Sequence, residues 1–167
     1  MVRHSVMIVL SLSLVVIVAI VGGRTGLRVT TSTSGNWTTF TINNGLASNI
    51  VTSVTQDNQG NMWFGTWANG VSRYDGKNWR TFTAEDGLVS DAIHCMLKDN
   101  QGNLWFGSYS IYGYYGISCF NGTQWQNFDP WQGKDGEYHY SVISIFEDDE
   151  GNLWFATSFG LVRYNPD

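Results

Sequence analysis

Large aromatic rings gather in two stretches of this 167-residue chain, SYSIYGYYG (108–116) and PWQGKDGEYHY (130–140). They supply Tyr109, Tyr112, Tyr114, Tyr115, Trp131 and Tyr138, and TWANG adds Trp67. Flat rings stack on the apolar faces of sugars or on a partner's surface, and a Tyr hydroxyl adds a directed hydrogen bond. The competing use of such rings is to plug gaps between structural elements. His139 lies close to Glu137 and Asp135, a set that can act as an acid/base pair. No nucleophile elbow, phosphate loop or His/Cys metal cluster accompanies it. His139 is therefore grouped with the seven rings as a ligand-binding candidate, and no catalytic residue, metal or cofactor is assigned. The acidic run Glu147-Asp148-Asp149-Glu150 invites a calcium reading. An EF-hand loop needs a Glu six residues after its Gly, and Thr157 stands there. A solvated turn is expected instead.

The elements that must hold these rings come from an internal repeat, which is sought first. DNQGNMWFG (57–65), DNQGNLWFG (99–107) and DDEGNLWFA (148–156) are one phrase written three times. Trp63, Trp105 and Trp154 are spaced by 42 and 49 residues, and Trp37, Trp79 and Trp125 by 42 and 46. Phe40, Phe82 and Phe128 each follow three residues after the second set. Each unit parses into four short strands bounded by Gly, Asn and Asp. In the first unit strand A is Val51–Gln56, B is Asn61–Thr66, C is Val71–Asp75 and D is Trp79–Thr83. Apolar residues fall on both faces of A and B, so each sheet needs a neighbour above and below. Radially stacked blades provide that.

The pattern D-x-x-G-N-L-W-F-G-T, G-V-x-R-Y-D-G, W-x-x-F-T and D-G-L resembles the two-component regulator propeller repeat over residues 37 to 167. That resemblance implies a β-propeller of the kind that fills the periplasmic sensor region of hybrid histidine kinases, many of them carbohydrate-responsive. The expected fold is all-β: a partial β-propeller of about three four-stranded blades, preceded by an N-terminal hydrophobic helix. Blades are placed at 49–83, 91–128 and 140–165. A lone strand D at 37–42 matches the strand the last blade lacks. Propellers close with roughly four to eight blades. Three suit either a piece of a longer chain, which sticky end faces favour, or an assembly. Two chains would give six blades if each supplied strand D to the other.

Strand parity puts the A–B and C–D turns on one rim and the B–C and D–A loops on the other. The first rim is monotonous. The second varies: Trp105 to Gly116 spans 11 residues where Trp63 to Gly70 spans 7. Variable loops on one face of a repeat array mark its binding face, and all eight candidates fall there.

Charge and termini set further bounds. From Asn36 onward there are 6 basic against 14 acidic residues, which repels a phosphate backbone and excludes nucleic acid as a partner. Residues 1–23 carry Arg3 and an apolar run from Val6 to Val21, read as a signal peptide or, if uncleaved, a membrane anchor. Residues 24–35 read as a Ser/Thr linker. The body is expected to be exported, periplasmic or extracellular. Cys95 and Cys119 have no counterparts in sister repeats, so unpaired thiols are favoured over a disulfide. The expected function is extracytoplasmic sensing of a glycan or similar ligand, without enzyme activity. Two alternatives stand beside it: an interaction module that completes a propeller by oligomerisation, and a propeller lyase using His139.

Overall fold

The computed structural model describes residues 10–11, 14–15, 35–109, 116–130 and 141–166. The chain divides into two units, Met1–Thr39 and Phe40–Asp167. In the first, Leu10–Ser11 (β1) and Leu14–Val15 (β2) pair antiparallel. The helix expected over 1–23 lies, apart from these four residues, outside the described residues. No helix among the described residues is long and apolar enough to cross a membrane.

The second unit is all-β. Val51–Gln56 (β3), Met62–Thr66 (β4), Val71–Tyr74 (β5) and Trp79–Phe82 (β6) form a four-stranded antiparallel meander. Ile93–Lys98 (β7), Leu104–Ser108 (β8), Ile117–Phe120 (β9) and Trp125–Phe128 (β10) repeat it. Val142–Glu147 (β11), Leu153–Thr157 (β12) and Gly160–Tyr164 (β13) form a third sheet of three strands. The innermost strands β3, β7 and β11 lie side by side in that order, the blade arrangement of a propeller.

The repeated phrase explains the turns. In each, the fourth-position Gly donates its N–H to the Asp carbonyl: Gly60 to Asp57 at 3.2 Å, Gly102 to Asp99 at 3.0 Å, Gly151 to Asp148 at 3.0 Å. All three glycines have positive φ, which a Cβ would penalise. The Asp carboxylate then ties the turn to strand B. Asp57 accepts from the backbone of Gln59 and Asn61, from the Asn61 amide, and at 2.9 Å from the Trp63 indole. Asp99 and Asp148 make the same indole bond to Trp105 and Trp154, at 2.8 and 2.7 Å. Among the described residues no acidic group is clustered to hold a metal. The carboxylate of Asp148 is occupied by its own turn.

Blades are joined by two apolar clusters. Trp63, Phe82, Leu88, Ile93, Leu104 and Phe106 fill the first junction. Trp105, Ile117, Val142, Ile145, Leu153 and Phe155 fill the second. Trp63 and Trp105 of strand B point toward the next sheet, and Phe106 and Phe155 toward the previous one. Full burial of each such side chain contributes about 1.5–3 kcal/mol. The junctions are tight at the inner strands. A methyl on Gly65 would lie 2.8 Å from Ile93, and one on Gly107 2.6 Å from Val142.

The strand expected at 37–42 is absent. Asn36–Thr41 carry no strand, and Ile42–Asn44 wind into a one-turn 3-10 helix. A strand needs an edge to pair with, and β13 forms the last edge of the third sheet. Phe40 instead lies on the first sheet, its ring 5.6 Å from Trp79 and 5.7 Å from Tyr74.

Cys95 and Cys119 are both free thiols. Burial pushes each up to about 12, far above the range in which a thiolate forms. A thiol-reactive probe at pH 8 is therefore expected to label the folded protein at least tenfold more slowly than the denatured chain. Equal rates would mean that the junctions open freely.

Candidate functional site

The B–C loops are fixed by a recurring set of hydrogen bonds. Thr66 Oγ1 donates to the Gly70 carbonyl at 2.8 Å, as Ser108 Oγ does to Gly116 at 2.9 Å and Thr157 Oγ1 to Gly160 at 2.8 Å. The residue that follows strand B is pinned to the segment before strand A. The Trp67 N–H donates to the Ile50 carbonyl at 3.2 Å, Tyr109 to Ala92 at 2.9 Å, and Ser158 to Ser141 at 3.0 Å. Position 67 and its counterpart 109 thus present two rings from neighbouring blades on the variable rim.

Those rings meet. Trp67 and Tyr109 have centroids 4.9 Å apart at 33°. Tyr109 in turn lies 5.9 Å from the His94 ring at 34°. Trp67 remains 43% exposed. His94 reaches this rim because of a β-bulge. The β7–β8 register shifts between Ile93 and Cys95, as it does between Val51 and Ser53 and between Val142 and Ser144. A bulge re-aims a side chain that a regular strand would send elsewhere. In the first blade the bulged residue is Thr52, whose hydroxyl donates to the Ile93 carbonyl at 2.6 Å. In the second it is His94, whose Nδ1 is buried without a hydrogen-bond partner among the described residues. A buried polar group in a folded protein is ordinarily hydrogen-bonded.

Of the eight residues singled out by sequence, the structure brings Trp67 and Tyr109 together. Tyr112, Tyr114, Tyr115, Trp131, Tyr138 and His139 lie outside the described residues. His94 belongs with the pair and was not among the eight. Its signal was alignment with Thr52 and Ile143 in strand A, which gives no hint of the bulge. Two related clefts open elsewhere. One of about 210 Å³ lies beside the A–B turns, with Asp57, Asn58, Gln101 and Asn121 in its wall. A counterpart of about 280 Å³ recurs one junction on. Their recurrence marks them as products of the repeat.

Stacked blades with knotted A–B turns on one rim and ring-bearing loops on the other define a β-propeller segment. Its repeats are similar to two-component regulator propeller repeats. The family described as Two component regulator propeller matches residues 45–68, 87–110 and 139–159. Among solved structures, the chain is similar to the extracellular domain of a hybrid two-component system from B. thetaiotaomicron, with TM-score 0.61 and 20% identity over 80% of this chain and 18% of that one. A second such extracellular domain from the same organism gives TM-score 0.51 and 22% identity, covering 77% of this chain and 23% of that one. PorZ, a surface component of the type-IX secretion system of Porphyromonas gingivalis, gives TM-score 0.50 and 20% identity over 68% of this chain and 18% of that one. The chain thus spans about a fifth of the length of these structures, at 18% to 23%. No curated protein matches it.

Proposed function

We propose that this chain is part of an extracytoplasmic sensing module that binds a glycan or a similar ligand on the B–C/D–A rim, without turning it over. The observation that carries the reading is the Trp67–Tyr109–His94 cluster. Two rings from adjacent blades stand against an imidazole whose buried nitrogen lacks a partner among the described residues. A sugar would place its apolar face on the exposed Trp67 and a hydroxyl toward His94 Nδ1. The likeness to extracellular domains of two-component systems supports an exported sensor role.

The test is a titration of soluble oligosaccharides against tryptophan fluorescence. Saturable quenching is expected, weakened at least tenfold in Trp67→Ala. Quenching that is absent, or unchanged in that variant, removes the proposal.

A further inference from the structure

The cleft of about 210 Å³ between the first two A–B turns takes its shape from the repeat, but not its hydrogen-bonding groups. Four carboxamides line it: Asn58 and Gln59 from the first blade, Gln101 and Asn121 from the second. Each engages its oxygen with a neighbouring donor. Asn58 Oδ1 accepts from the Lys98 ammonium at 3.1 Å, across the blade junction. Asn121 Oδ1 accepts from the Thr123 and Gln124 backbone at 3.0 and 2.9 Å, and from the Thr123 hydroxyl at 2.9 Å. Gln59 Oε1 accepts from the Asn61 amide at 3.4 Å, and Gln101 Oε1 from that of Asn103 at 3.5 Å. Those two amides are fixed as donors by the carboxylates of Asp57 and Asp99, at 2.7 and 2.8 Å.

An amide whose oxygen is engaged presents its NH₂ to whatever comes next. None of these four NH₂ groups has a hydrogen-bond partner among the described residues. Arg73 adds a guanidinium to the same wall. Asp57 also lines the cleft, but its oxygens are taken by Gln59, Asn61 and Trp63. Gly102 keeps the place open. A Cβ there would collide with Asn58 Nδ2, which lies against the bare Cα of the neighbouring turn.

The second junction repeats the shape with the charges reversed. Its cleft of about 280 Å³ again borders the A–B turns. Cys119 stands where Arg73 does, each opposite the Trp of strand B. Glu147 ends β11 where Lys98 ends β7, and it accepts from the Asn100 N–H at 2.8 Å. Glu150 holds the turn position of Gln101. The first cleft therefore sets Arg73 and Lys98 against Asp57, whereas the second gathers Asp99, Glu147 and Glu150. Equal shape with opposite charge makes the second junction an internal control for the first.

We infer that the first cleft is a binding site for an oxyanion, the carboxylate or sulfate group of a small ligand. The NH₂ groups of both blades and the planar fork of Arg73 donate to its oxygens, and the half-buried Phe120 ring supports the ligand's body. Hydrogen bonds to a charged acceptor are about twice as strong as neutral ones, so a donor-rich cleft holds an anion on a body that is acidic overall. The site lies on the A–B rim and uses none of the residues around Trp67.

The full chain in nonionic detergent is titrated with sodium sulfate, sodium glucuronate and glucose, with ionic strength held constant by sodium chloride. Side-chain amide resonances are followed in proton–nitrogen correlation spectra. Saturable shifts of the Asn58, Gln59, Gln101 and Asn121 NH₂ groups are expected with both anions and not with glucose. Gln101→Glu, which places in the second turn the residue the third turn already carries, should weaken anion binding roughly tenfold, as should Arg73→Gln. Trp67→Ala should leave it unchanged. Tighter binding of glucuronate than of sulfate would support a sugar acid as the source of the oxyanion, and the reverse order an inorganic ion. Shifts absent with both anions, equal with glucose, or unchanged in either cleft variant would overturn the inference.

Discussion

Gly70→Ala is expected to unfold the chain some 10 °C earlier than the parent, on the order of 3 kcal/mol. Gly70 ends the B–C loop of the first blade with φ +77. A side chain in that conformation costs about 1–2 kcal/mol by itself. The rest comes from space. A Cβ there would fall inside contact distance of the Phe82 carbonyl oxygen, a backbone atom that cannot swing aside. Movement of Gly70 would break three hydrogen bonds: its own N–H to Asp91 at 2.7 Å, and its carbonyl's bonds from the Thr66 N–H and hydroxyl. Those bonds also set the loop that carries Trp67, so ligand quenching should fall with stability. Gly76→Ala is the control. Gly76 has φ +95 but nothing within 4 Å of a Cβ, so it should cost only about 1–2 kcal/mol. Equal losses at the two positions would mean that the clash with Phe82 is relieved at no expense. Thermal unfolding followed by tryptophan fluorescence distinguishes the cases.

The repeat made most of the fold legible. Trp63 and Trp105 announce strand B because a buried Trp can recur only where the packing recurs, and Trp154 holds the same place. Gly60, Gly102 and Gly151 announce turns because their positive φ excludes other residues. What stayed hidden depends on partners distant in sequence. His94 aligns with an ordinary strand position, and only the bulge against β8 turns it to the rim. Trp37 aligns with two strand residues, yet a strand requires an edge, and pattern alone cannot say which edge. Asp57 was legible as a turn residue through its own backbone. Its bond to an indole six residues away was not, because that depends on how strand B leaves the turn.

That bond carries the second large effect. Asp57→Ala is expected to cost about 3 kcal/mol, since it removes four hydrogen bonds to one carboxylate and strands the indole N–H of Trp63, a residue only 1% exposed. Asp57→Asn should lose less, because an amide oxygen still accepts from the Gln59 and Asn61 backbone while its NH₂ faces the Trp63 donor. The charge gives a second signature. Burial pushes the Asp57 carboxyl up, but the donors Trp63, Asn61 and Gln59 together outweigh it and hold the group below its ordinary 3.8. A folded-state value below the unfolded one means that the unfolded chain takes up the proton first. The stabilisation is therefore complete above the unfolded value, near pH 4, and is lost as pH falls through the depressed folded value. Asp148 is lowered likewise, first by the Trp154 indole, and Asp75 by the backbone of Asn78 and Lys77. Stability measured by urea unfolding should hold steady from pH 7 to about pH 4 and decline below it. In Asp57→Asn the decline should be shallower but not abolished, since Asp148 and Asp75 still titrate. An unchanged slope in that variant would show that the carboxylate is protonated equally in both states, and the indole bond would then be a contact of geometry without charge.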